Sequence, residues 1–333
     1  MTPDCHERIT IEAFLGRLDV LSLDGVELPD PGPWEDVSEW VADRYHLRGF
    51  DATTRYVAMS LFLGVREPDS GGASSLNVKD LRANHGSTDS QHPHCTRNTI
   101  DDYAEGDRAV LRGCAAAMAT AVARGLRFSR QPAARQHIEV PFTLDFYGRI
   151  DLSVWAPAYH LGRGLHSLQD AFSHSIRSDD LHVVLHVMNY TDAIGPERRY
   201  DEGRDGLRHS VAMDYCDDET QKIVDAARRA SGELIAAAGH AWEGGGTTGV
   251  DGVVDHWLGY TEGCSAPEYC DSPWVDVARS DPTFPLLGCA CVTSPGSTAA
   301  IGVGARRSLS LLSLLLLIVV RRRRGGPKVA TIG

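Results

Sequence analysis

The chain has 333 residues, enough to bury a large core in one domain or two. Its formal charge is −12, yet seven basic residues and no acids follow Cys291, so the body before that point carries about −19. Such a body repels duplex nucleic acid and anionic lipid, which excludes binding to either by charge alone.

Apolar residues recur at helical spacing over residues 10–18 and 37–63. Residues 64–98 form a long polar stretch rich in Gly, Ser, Asp, Asn and His, and loops of that length in a compact domain are functional or disordered. A helix with an alanine-rich face is predicted over 101–127. Residues 138–150 alternate around Pro141, as a short strand pair or an extended linker does. Residues 152–174 are predicted as a helix, with Pro157 marking a candidate first turn. Residues 183–190 are ambiguous and 191–208 read as a charged loop. An amphipathic helix over 219–242 stops at Gly244, Gly245 and Gly246, and a last short helix is predicted over 253–258. The sequence contains no GxGxxG, no P-loop and no internal repeat. The expectation is a mainly α domain over 1–287 with long ligand-bearing loops, followed by a separate tail over 288–333.

The chemistry concentrates in HSLQDAFSH, where His166, Asp170 and His174 stand at i, i+4 and i+8. Each step of four residues turns a helix by about 400°, so the three side chains share one face. Imidazole and carboxylate groups on consecutive turns can grip one divalent ion or bridge two. Other ligand types are spread through the chain: His6 in CHERIT, Asp69 in VREPDSGG on a Gly-rich turn, His92 and His94 in QHPHCTR, His182 and His186, and His209 and Asp214 in RHSVAMD.

The eight cysteines contain no CxxC pair, so a cysteine-rich zinc site is not expected and disulfides in an oxidising compartment are. Cys289 and Cys291 precede a small-residue linker, the apolar residues 308–320 and the arginines 321–324. Thirteen residues make a helix of about 20 Å against a bilayer core of about 30 Å, short for a permanent span. The trailing arginines would hold that end in the cytoplasm. This arrangement resembles the myxobacterial C-terminal sorting tail. The resemblance implies export, a transient membrane anchor, cleavage near Cys289 or Cys291 by a sorting protease, and display at the cell envelope or release. MTPDCHERIT has neither a basic region nor an apolar run, so export predicts a leader ahead of Met1 and a mature start near Thr2 or Asp4.

The order of ligand types, with LHSLQDAFSH at its centre, resembles the zinc-dependent phospholipase C family and the related single-strand-specific nucleases. That resemblance implies a helical fold holding two or three Zn²⁺ at the bottom of a cleft. By it His6 matches the early His, Asp69 the loop Asp, His94 the next His, His166 and Asp170 the helix pair, and His174 the His that follows. The family spaces that last His ten residues from the first, against eight here, and its late H-x3-E pair has no clean match. His182 with His186, or His209 with Asp214, stand in for it, and His186 and His209 are the preferred ligands. The implied activity is hydrolysis of a phospholipid or other phosphodiester by zinc-activated water. In it Asp69 orients the water or ligates, and Asp170 bridges metals. The alternatives are a single-strand nuclease of the same fold and a non-catalytic surface protein whose metal is structural.

Overall fold

The computed structural model describes residues 5–73, 91–97, 103–144, 148–190, 201–261 and 269–280, all within the unit Met1–Val292. The expected tail lies outside the described residues, as do 74–90 and 98 of the polar stretch and 191–200 of the charged loop. In chain order the elements are α1 (Cys5–Leu15), α2 (Pro33–Arg44), α3 (Ala52–Ser70), α4 (Tyr103–Ser129), β1 (His137–Leu144), β2 (Gly148–Trp155) and α5 (Ala156–Ser173). There follow β3 (Ser175–Arg177), β4 (Val184–Val187), α6 (Glu202–Asp205), α7 (Gln221–Trp242), α8 (Thr248–Trp257) and α9 (Trp274–Arg279). The fold is mainly helical, as the periodicity predicts.

The apolar stretch 37–63 divides into two helices. Asp51 starts the second by accepting a hydrogen bond from Thr54 N at 2.8 Å, the usual way an N-cap carboxylate satisfies a free amide. That helix runs seven residues past 63, through Pro68, and stops where Gly71 takes a left-handed φ of 54°. Asp69 therefore sits in the last turn of α3 and not on a Gly-rich turn. A proline this close to the end removes one amide donor without breaking the remaining ladder.

Residues 138–144 and 148–150 belong to an antiparallel strand pair, β1 against β2, with Phe142 opposite Ile150. Strand β2 continues to Trp155, whose amide donates to Ser60 Oγ at 3.0 Å. The next helix thus begins at Ala156, four residues later than 152, with Pro157 in its first turn.

Helix α5 is the axis of the molecule. It packs against α3, α4 and α7, and every residue of it except Arg163 is buried. Two glycines permit the closest of these contacts. A Cβ on Gly64 would stand 2.0 Å from Tyr159 O, and one on Gly162 would stand 2.5 Å from Leu61 O. Backbone meets backbone there, so neither contact relaxes by rotating a side chain. This close crossing carries Val65 and Asp69 of α3 to the polar face of α5.

Two disulfides staple the fold, Cys5–Cys216 and Cys95–Cys114, and Cys270 is disulfide-bonded as well. Each of the two described bridges touches a segment with a candidate ligand: Cys5 adjoins His6, Cys216 follows Asp214 by two residues, and Cys95 adjoins His94.

Gly64→Ala is expected to lower the unfolding free energy by about 1–3 kcal/mol through overpacking of the α3–α5 crossing, read from urea denaturation. Unchanged stability would show that the crossing has room. Removing the Cys95–Cys114 bridge by a double alanine substitution is expected to cost about 2–4 kcal/mol in the same measurement.

Candidate metal centre

Asp170 lies on the buried face of α5, 1% exposed, and four imidazoles surround its carboxylate. Oδ2 lies 2.9 Å from His166 Nε2 and 3.1 Å from His94 Nδ1. Oδ1 lies 3.0 Å from His6 Nε2 and 3.9 Å from His174 Nε2. The two oxygens thus face different sets of ligands. Asp69 reaches the same place from α3, with Oδ1 3.6 Å from His166 Nε2 and 3.8 Å from His94 Nδ1. A third set closes around Asp214, whose oxygens lie 3.3 Å from His174 Nε2 and 3.1 Å from His209 Nε2.

Among the described residues three groups could hold a metal ion: His6, His166 and Asp170; Asp69, His94 and His166; and His174, His209 and Asp214. His166 is shared by the first two, and Asp170 reaches toward all three. The structure brings together His6, Asp69, His94, His166, Asp170, His174 and His209 as candidate ligands. It also places Asp214 among them.

His186 does not join these groups. Its Nδ1 lies 3.1 Å from Asp107 Oδ2, and its Nε2 accepts from Leu207 N at 3.0 Å. Both ring nitrogens are thereby engaged within the protein, and the side chain ties α4 to the segment leading to His209. His182 stacks on Trp257, ring centres 5.0 Å apart. Of the two histidines flanking Pro93, His94 is buried and His92 is exposed.

The convergence has a backbone cause. Met188 N donates to His174 O at 2.8 Å, and Met188 O accepts from Arg97 N at 3.0 Å. Asn189 N donates to Leu207 O and Asn189 O accepts from His209 N, both at 2.8 Å. Two residues after β4 therefore bind the end of α5, the His94 loop and the His209 segment together. Helix α5 ends at Ser173, so His174 is its C-cap residue and stands free of the helical stripe. That departure lets it face Asp214 while staying near Asp170.

Three of the histidines are oriented by hydrogen bonds on their outer nitrogen, the usual way a protein fixes which imidazole nitrogen a metal meets. His166 Nδ1 is 2.9 Å from Val65 O, His174 Nδ1 is 2.5 Å from His94 O, and His6 Nδ1 is 2.8 Å from Gln169 Oε1. In each case Nε2 faces the carboxylates.

Burial works against charge on His166, but the carboxylates of Asp170 and Asp69 outweigh it and lift its pKa to about 9. His174 is raised too, against burial, by Asp170 and Asp214. Burial opposes ionisation of Asp170, and His166, His174 and His6 overcome it and hold the acid well below its ordinary value. Asp214 is also lowered against burial, by the charge of the chain's N-terminal amine first and by His209 and His174 after it.

The residues fit divalent ions. Among the described residues His6 Nε2 is buried with no hydrogen-bond partner, and Asp170 Oδ1 lies 3.0 Å away. A ring nitrogen and a carboxylate oxygen this close can both serve as donors to a common cation. Nitrogen and oxygen donors of this kind suit zinc and related ions. Asp69 is the accessible member, its side chain 41% exposed against 2% for Asp170.

No protein-family model, curated protein or solved structure gives a significant match to this chain. Its chemistry rests on the residues just described. Of the two stand-ins for the family's late pair, His186 and His209 were preferred and Asp214 was not; its signal was its place five residues after His209 in RHSVAMD.

In the metal-free chain the raised histidines stabilise the fold fully below their unfolded pKa of about 6.5. That contribution is lost as pH climbs through about 9 for His166. The lowered aspartates contribute above about 3.9 and lose their effect as pH falls through their depressed values. With chelator present the melting temperature is therefore expected to peak between about pH 4 and 6.5 and to fall toward pH 9. A curve that keeps rising to pH 9 would contradict this charge arrangement.

Proposed function

We propose that the protein is an exported, zinc-dependent phosphodiester hydrolase of the phospholipase C type. One observation carries the proposal: a single buried carboxylate, Asp170, offers one oxygen to His94 and His166 and the other to His6 and His174. A carboxylate placed between ligand sets is the arrangement that bridges neighbouring ions. Divalent ions held there would polarise phosphate oxygens and make water acidic enough to attack near neutral pH.

The chain's own residues do the rest. His6, His94, His166, His174 and His209 would supply nitrogen donors, and Asp170 and Asp214 would supply the balancing charge. Asp69, reaching the centre from the accessible side, is placed to accept a proton from a water and orient it, or to serve as a ligand. Structural zinc sites are closed by four protein ligands with no accessible position, and a half-exposed carboxylate at the rim favours an open site instead. The acidic body is no obstacle, because bound cations would supply the local positive charge that an anionic phosphate requires.

Export is supported by the disulfides, which persist in oxidising compartments. The cysteine, apolar and arginine order of the tail supports transient anchoring and processing.

The test is hydrolysis of p-nitrophenylphosphorylcholine by chain purified without chelator, with single-stranded DNA as the competing substrate. Turnover of the choline ester is expected. Cleavage of DNA alone would move the assignment to a nuclease, and tightly held metal with no turnover of either would make the centre structural. Asp170→Asn is expected to lose bound metal and hydrolysis together, by more than the about 10–100-fold typical of losing an outer-shell partner. Full metal content in that variant would contradict the bridging role.

A further inference from the structure

Gln169 precedes Asp170 on α5 and is fully buried. Its Nε2 donates to Thr10 Oγ1 at 2.8 Å and to Ser231 Oγ at 3.2 Å, and its Oε1 lies 2.8 Å from His6 Nδ1. Thr10 and Ser231 are themselves completely buried, one on α1 and one on α7. Two hydroxyls on the nitrogen side fix the amide with its oxygen toward His6. An amide oxygen only accepts, so the facing Nδ1 must carry the proton. With the proton held on Nδ1, the neutral form of the ring has its lone pair on Nε2, the buried nitrogen that faces Asp170 Oδ1 and has no hydrogen-bond partner among the described residues.

We infer that Gln169 is the positioning residue that locks His6 in its Nδ1-protonated tautomer and so readies Nε2 as a metal donor; this rests on the metal reading above. His166 and His174 obtain the same service from backbone carbonyls, which no substitution removes. Of these three histidines only His6 depends on a side chain. The dependence also spans three helices: α5 supplies the acceptor, α1 the histidine and one hydroxyl, and α7 the other hydroxyl. Packing of α1 and α7 on α5 is thereby coupled to the readiness of one ligand.

A residue that merely filled space could be replaced by an apolar one of similar volume, whereas a tautomer lock needs an acceptor. Gln169→Met removes the acceptor and Gln169→Glu keeps it. Zinc affinity of the full chain, titrated against a chromophoric chelator, is expected to fall about 10–100-fold for one ion in Gln169→Met. It should stay within a few-fold of wild type in Gln169→Glu. Long-range proton–nitrogen correlation spectra of the wild-type chain should show His6 protonated on Nδ1. That spectrum needs no variant, so it decides the matter even where a substitution impairs folding.

Wild-type affinity in Gln169→Met, equal losses in both variants, or a His6 protonated on Nε2 would each overturn the inference. A wild-type chain that takes up no zinc would instead sink the metal reading, and the tautomer spectrum would still judge Gln169 separately.

Discussion

The carboxylate of Asp170 sits in the interior with 1% of its surface exposed, and an isolated charge there costs several kcal/mol. The surrounding residues answer that cost. His6, His94, His166 and His174 approach it from α1, the loop before α4, the middle of α5 and the end of α5. In the metal-free chain protons on His166 and His174 balance the acid, which is why both are held above their ordinary pKa. A divalent ion could do the same work more compactly, and on binding it would displace those protons. On the proposed reading the centre is a place where protons and metal ions would compete.

Preparation of the site extends into the covalent frame. The two described disulfides lie beside candidate ligands and join segments 211 and 19 residues apart in the chain. Cys95 takes a left-handed φ of 48°, a conformation that costs a non-glycine residue about 1–3 kcal/mol, and the bridge to Cys114 helps hold it. That turn directs His94 inward. The glycine crossing of α3 and α5 acts from the other side, bringing Val65 O to His166 and Asp69 to the rim. Ligands fixed in this way lose little freedom on binding, which preserves affinity.

The central motif was legible in the sequence because helical spacing places His166 and Asp170 on one face, whatever the rest of the chain does. Helix α7 was legible through its amphipathic period, while alternation over 138–150 left a strand pair and an extended linker both open. The distant partners His6, Asp69 and His94 were not derivable from periodicity; the order of ligand types and the resemblance it carries pointed to them. His186 and Asp214 show where spacing fails. His209 and Asp214 lie on an irregular segment ending in a 3-10 turn, where helical offsets do not apply. The approach of His209 to His174 follows from its pairing with Asn189 beside Met188, which binds His174, a long-range event without a local signature. His186, on a strand beside them, is drawn instead to Asp107. Helix α9 is six residues long, too short to show a period, and the end of α3 was hidden by Pro68.

The central claim is that one interior acid joins adjacent ion sites, and counting ions tests it most directly. Native mass spectrometry of full chain prepared without chelator should find two or three zinc ions bound per molecule, and fewer in Asp170→Asn. A wild-type molecule carrying a single ion or none would contradict the account.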